Sequence, residues 1–460
     1  MRDLIFASII LFLLPVVYRR PFIGLLVFSW LAYMRPQDLC WGFARPQRWS
    51  FLVAVVTMAG YFSRPRQEFY RRDIRANALM ALVVIVGLSV LAGSEQSSDQ
   101  FNRYVEFAKI VGVTLFTTTL VSTPERLRVL VWVIAMSFGF YGVKVGLGGV
   151  LSGGNMEVLR GPGGMMEDNN DFSLALCMAL PLLIHIGSSE KRPALRRGVW
   201  MMVPLTALTV IMTHSRGGFL SLVTCLGLLT WRSRNRVAGF ALAAVAALVT
   251  VLVLPDSAFE RLHTLQNVEQ DGSAMGRIAA WKTAIRMASD NPVLGVGFQM
   301  FRRHYSQYSL NPGEYVRVAH NSYLQVWAET GTIALMLYLF LIFYSLWRVW
   351  SLRRDAKRYF NSSWIINYAT MFEASLCAFI VGGTFLNRFA FDLFYQYVGI
   401  IIALEAISYR EMARLDLRVP TAGSDPLLAD IPVHEERRRG FQRRPKRSGF
   451  RNQPLLREGS

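Results

Sequence analysis

Three side chains in this 460-residue sequence have the types and setting for phosphate chemistry beside a base. His320 opens the stretch Val318 to Gly331, VAHNSYLQVWAETG, where a polar segment re-enters an apolar helix. Imidazole titrates near neutrality. At a helix N-terminus the positive end of the macrodipole disfavours its protonation, which keeps the ring able to accept a proton. Arg216 stands in THSRGG, Thr213–Gly218, whose paired glycines let backbone or ligand come close. Arg277 begins the stretch GRIAAWKTAIRMASD, Gly276–Asp290. A guanidinium fork matches phosphate oxygens two at a time and stays charged, so two forks suit a pyrophosphate. The plainer account of His320, an interfacial residue at a membrane boundary, stays open at this stage.

Other polar groups flank these three. His214 is next to Arg216 as a supporting contact, and Asn321 or Ser322 is placed to cap the helix after His320, with Glu329 further along it. Glu167 and Asp168 with Asp171 form the one outward acidic set with metal-like spacing. A plain N-cap at Asp171, or substrate contact through Asp168, Asn169 and Asn170, is preferred there to a metal. Lys144 either snorkels or adds positive charge to the site. Glu106 and Lys109, three residues apart, are expected to neutralise each other on one helix face. Arg302, Arg303, Arg317 and Arg388 are further outward cations, read as ordinary surface charge in preference to guides for an anionic donor. No Walker-type loop, CxxC pair or cysteine metal-ligand spacing occurs, so no cofactor and no metal are expected.

The elements that must position these groups are apolar. Hydrophobic residues make up 53% of the chain, aromatics 13%, and mean hydropathy is +0.30. Apolar runs of about 15 to 25 residues recur nearly end to end, and a bilayer span takes about 20. Unbroken runs exclude a β-barrel, whose strands alternate. The expectation is an all-α polytopic membrane protein with about 12 to 13 transmembrane helices and one long periplasmic loop holding short amphipathic helices. Spans are expected near 3–18, 21–34, 50–63, 76–93, 103–121, 127–150, 171–187, 197–213, 217–231, 237–254, 321–349, 363–386 and 391–408. The N-terminal run reads as the first span rather than a removed signal peptide.

The net charge of +19 points to membrane, not nucleic acid, because the basic residues sit in short connections and in the tail. Tyr18–Arg20, Arg64–Arg75, Glu190–Arg197, Arg232–Arg236 and Arg348–Arg358 are the basic connections and are assigned to the cytoplasm by the positive-inside rule. The alternate connections, with 255–319 among them, then face outward. Five regions follow: N-terminal helices 1–150, central helices with the SRGG turn 151–254, the periplasmic loop 255–319, C-terminal helices 320–409, and a basic, disordered cytoplasmic tail 410–460 near anionic lipid. Within the loop, Ile278, Trp281, Ile285 and Ala288 recur at helical spacing, and Asn291-Pro292 ends that helix. Gly295 and Gly297 read as a flexible connection. The helix rests either on the membrane surface or against the bundle.

SRGG at Ser215–Gly218, GRIAAWKTAIRMASDNPVLGVGFQMF at Gly276–Phe301 and HNSYLQVWAETGTIAL at His320–Leu335 occur in that order. Together they resemble the O-antigen ligase and polymerase family of bacterial membrane glycosyltransferases. YRRPFIGLLVFSWLAYMRPQDLCWGFA at Tyr18–Ala44 and GPGGMMEDNNDFSLALCMALPLL at Gly161–Leu183 resemble the exosortase-associated O-glycosylation ligases, with RPQDL at Arg35–Leu39 where Asn-Pro-His is more usual. The resemblance implies a polyprenyl-diphosphate-linked glycan donor, a glycan or protein acceptor, and metal-independent, inverting transfer to a hydroxyl at the periplasmic face of the bacterial inner membrane. It also implies donor diphosphate binding by Arg216 and Arg277, with His320 as catalytic base. Two other readings stand beside it. One is a glycan polymerase with the same chemistry; the other is a non-enzymatic flippase or exporter, which ought to keep its polar groups near the bilayer midplane.

Overall fold

A computed structural model describes residues 1–65, 68–93, 98–153, 156, 158–233, 236, 272–310, 315–360, 362–386 and 389–418. The apolar runs form helices in sequence order: α1 (Arg2–Arg19), α2 (Pro21–Tyr33), α3 (Trp49–Phe62), α4 (Ile74–Ala92), α5 (Ser98–Leu120), α6 (Pro124–Leu151), α7 (Asn169–Ser189), α8 (Pro193–Met212) and α9 (Arg216–Arg232). Then come α10 (Gly272–Asp290), α11 (Phe301–Tyr308), α12 (Ser322–Asp355), α13 (Ser363–Gly383) and α14 (Asp392–Arg418). Among the described residues the one sheet is an antiparallel hairpin, β1 (Arg160–Gly163) with β2 (Met166–Asp168). Six described helices, α4, α6, α7, α8, α12 and α13, are long and apolar enough to cross a membrane, and α2 and α3 are shorter apolar helices. The protein is an all-α polytopic membrane protein. The span expected at 237–254, the loop before Gly272, Arg388 and the tail beyond 418 lie outside the described residues. The described residues up to Ile407 form one compact unit.

The core of this unit is built around α7, whose residues are buried without interruption from Asp171 to Leu183. A helix apolar all round must be surrounded by other elements, and α6, α8, α9 and α13 pack against it. Close approach between α6 and α8 depends on small residues. A Cβ on Gly142 would come within 2.2 Å of Thr206 Oγ1, and one on Gly146 within 2.5 Å of the Leu205 carbonyl. Thr209 Oγ1 donates to the Gly142 carbonyl at 2.7 Å across the same seam.

Connections gather at two ends. At one end the basic connections meet: Arg64 bonds the Arg19 carbonyl, the Arg71 amide donates to Thr118 at 2.9 Å, and Arg128 pairs with Glu190 at 2.9 Å. Arg75 and Arg348 share Glu405, while Arg232 and Arg353 share Glu373 at 2.5 and 3.4 Å. At the other end Asp3 accepts from the Gly42 and Ala44 amides, Asn169 from α7 donates to the Thr213 carbonyl, and Gln100 donates to the Phe298 carbonyl at 3.0 Å. His320 belongs to this second end. Glu106 and Lys109 pair at 2.8 Å as the spacing predicts.

Three expectations change. The helix expected over 321–349 is broken at Gly331, whose φ of 81° and ψ of 179° suit glycine alone. The connection through Gly295 and Gly297 is fixed, not flexible. The Val296 and Gly297 amides donate to the carbonyls of Ala328 and Glu329, and the Thr332 amide donates to that of Pro292. The inward face of α10 is also rotated from the expected one. Ala280, Ala284 and Met287 pack with Ala319, Ala328, Phe301 and Tyr305, while Ile285 is exposed. Short side chains let α10 lie close against α12, so the alanine face turns inward and the helix rests on the bundle.

Candidate active site

The N-terminus of α7 and the THSRGG turn are joined by side chains. Asp168, not Asp171, caps α7, accepting the Asn170 amide at 2.8 Å, and Asp171 is buried in the first turn. The Asp168 side chain is free to cap because β2 delivers it in extended backbone. The Asn170 side chain donates to Asp168 Oδ1 at 2.8 Å and accepts from Ser215 Oγ at 2.7 Å. Ser215 in turn caps α9, accepting the Gly218 amide at 3.0 Å, which leaves Arg216 in the first turn of that helix. Gly217 and Gly218 are required by packing: a Cβ on either would meet Phe385 or Ser173 at 2.6 or 2.3 Å.

His320 sits just before α12, whose cap is Asn321, accepting the amides of Tyr323 and Leu324 at 3.1 Å each. The ring is half-buried. Burial holds it below the ordinary imidazole range, the positive charge of Arg277 pushes it further down, and the carboxylate of Asp168 pulls it back up. Both groups therefore stand close enough to His320 to act on its proton. Arg277 reaches the site because Trp281, one turn on, donates its indole N–H to the Ala319 carbonyl at 2.8 Å, tying α10 to the residue before His320. Arg317 packs its guanidinium on Gly276, where a Cβ would lie 2.0 Å from Nη1, so it is a half-buried cation beside Arg277 rather than the surface charge its sequence context suggests.

The structure thus brings Asp168, Asn169, Asn170, the Ser215–Arg216 turn, Arg277, His320 and Asn321 to one end of the bundle. His214 is in the same turn, half-buried at φ 51°. Lys144 is exposed on α6, and Arg302 and Arg303 are exposed on α11. Among the described residues the non-glycine positions at positive φ are Arg35, His214, Gln299 and His320, all at this end. Such backbone costs of order 1–3 kcal/mol per residue and clusters where geometry serves chemistry. In the sequence Arg35 stood out only as the start of RPQDL and Gln299 not at all, because positive φ at a non-glycine residue is imposed by packing from elsewhere in the chain.

Glu329 fastens the broken helix to the loop. Its carboxylate accepts from Gln325 at 3.0 Å and from the Phe301 amide at 3.3 Å, and its carbonyl accepts from Ser89 at 2.8 Å. The arrangement as a whole offers a neutral imidazole, guanidinium groups on separate helices and a carboxylate in one setting. That combination can remove a proton from a hydroxyl while neutralising an anionic leaving group.

Residues 201–339, which contain Arg216, Arg277 and His320, match the family described as O-antigen ligase. Residues 1–190 match a family of unknown function (DUF5935). No curated protein matches the chain. The O-antigen ligase match supports a membrane glycosyltransferase-type enzyme of that general family.

Proposed function

We propose that this membrane protein, with its O-antigen ligase-like segment 201–339, is a metal-independent, inverting glycosyltransferase that moves a glycan from a polyprenyl-diphosphate donor to an acceptor hydroxyl. His320 takes the hydroxyl proton as the acceptor oxygen forms its bond to the anomeric carbon. The bond from that carbon to the diphosphate breaks, and the electron pair leaves on the diphosphate, held by Arg216 and Arg277. Stabilisation is largest where charge develops, which is the requirement for acceleration over mere binding. Asp168, Asn169 and Asn170 contact substrate or hold the turn, His214 supports Arg216, and Lys144 adds a cation nearby. The end bearing His320 faces the periplasm of a bacterial inner membrane, and the acceptor is a protein or surface glycan, as in the exosortase-associated ligases.

The observation that carries this reading is the Trp281 indole bond to the Ala319 carbonyl, which ties the start of α10, with Arg277, to the residue before His320 inside the segment that matches O-antigen ligases. The experiment is turnover in vesicles with a polyprenyl-diphosphate-linked glycan and an acceptor. Free polyprenyl diphosphate released in step with glycan on the acceptor is expected. Movement of intact donor between leaflets with no release replaces this reading with an exporter.

A further inference from the structure

A second site lies at the same end of the molecule. The connection after α2 and the tip of the β1–β2 hairpin enclose an open cavity of about 490 Å3, lined by Arg35, Asp38, Arg45, Gly163, Gly164 and Glu167 among others. That volume falls in the roughly 300–1,000 Å3 range of small-molecule sites. The site is built, not incidental. Arg35 is held at φ 50°, its Nε donating to Asp38 at 2.6 Å. The hairpin tip rests on that pair through Gly163 and Gly164, both at positive φ. A Cβ on Gly164 would lie 2.3 Å from Arg35 Nη1, and one on Gly163 would lie 3.3 Å from Asp38 Oδ2.

We infer that this cavity binds a neutral, hydroxyl-rich saccharide. Two guanidinium groups and two carboxylates line it, so their formal charges cancel and a diphosphate finds carboxylates opposing it. Carboxylates only accept and guanidinium groups only donate, which is the complement required by neighbouring hydroxyls that do both. The position gives the site a use. Glu167 lines the cavity, and the next residue, Asp168, caps α7 and accepts from Asn170, whose side chain accepts from Ser215 beside Arg216. A saccharide seated here is therefore held one residue along the strand from that turn. That it is the acceptor rests on the transferase reading; that it binds does not.

The test uses the full-length detergent-solubilised protein on an array of neutral and acidic oligosaccharides, with inorganic pyrophosphate as competitor. Wild type and His320→Ala are expected to retain neutral glycans, Glu167→Gln and Arg45→Ala to lose at least tenfold in affinity, and pyrophosphate to leave retention unchanged. Glu167 and Arg45 are exposed, so these variants keep the fold, whereas Asp38→Asn releases the strained Arg35. No glycan retained by wild type, equal retention by both variants, or displacement by pyrophosphate each overturns the inference. Retention without any transfer activity faults the transferase reading and leaves this site standing.

Discussion

His320 is asked to be a base, and its surroundings make a signed prediction about its proton. Burial and Arg277 depress its pKa below 6.5, while Asp168 opposes them. Arg277→Gln should move the imidazole titration toward higher pH and Asp168→Asn should move it lower, read by NMR of labelled histidine with His320→Ala identifying the resonance. Shifts in one common direction would contradict the arrangement. The depressed value also gives a stability sign. Above 6.5 the ring is neutral folded and unfolded; below it the unfolded chain protonates first, so folded stability falls as pH drops toward the folded pKa. Transfer should lose roughly 10²- to 10⁴-fold in His320→Ala. Arg216→Lys and Arg277→Lys should lose it too, since a point charge does not replace a fork, with protein levels and melting temperature near wild type. Activity at wild-type rate in any one removes that residue from the mechanism.

At the scale of elements, the site is held by backbone that glycine permits. Gly331 has φ 81°, and a Cβ there would stand 2.1 Å from the Val293 carbonyl; Gly295 has φ 67°, and a Cβ there would stand 2.3 Å from the Glu329 backbone. Gly331→Ala or Gly295→Ala should cost upward of about 1–3 kcal/mol and part the loop from α12. A lowered melting temperature with activity lost beyond what the melting explains checks this. Ser215→Ala removes a cap worth about 1 kcal/mol and also cuts Asn170 from the turn; its expected mark is a raised KM for the donor with modest destabilisation. The same elements show what the sequence makes legible. Hydropathy marked most of the described helices, and the helical spacing after Gly276 marked α10. It misjudged the buried face of α10, because spacing locates apolar side chains whereas packing against a neighbour favours Ala280 and Ala284. It passed through Gly331 because a broken helix and a continuous one share the same hydropathy.

For the molecule as a whole, the division of connections between two ends was readable from Arg and Lys placement alone, since charge bias is local to each connection. The partnership of Asp168 with His320 was not, because it joins residues about 150 positions apart through packing that no local pattern encodes. Nor was the role of Arg35, which depends on a hairpin more than 120 residues later. The orientation is checked by thiol labelling in intact cells. Cysteines at Glu167 and Gln299 should react with an impermeant maleimide, and one at Lys191 only after permeabilisation; the native Cys40, Cys177 and Cys225 are buried, and the half-buried Cys377 is first replaced by serine. The break at Gly331 has one more result. Residues 332–355 alone form about 36 Å of helix at 1.5 Å per residue, enough for a hydrocarbon layer of about 30 Å, so the nine residues from Ser322 to Thr330 are not needed for crossing. A thicker or thinner bilayer can then be met by tilt below the hinge while the histidine keeps its neighbours, and turnover should vary little with acyl-chain length.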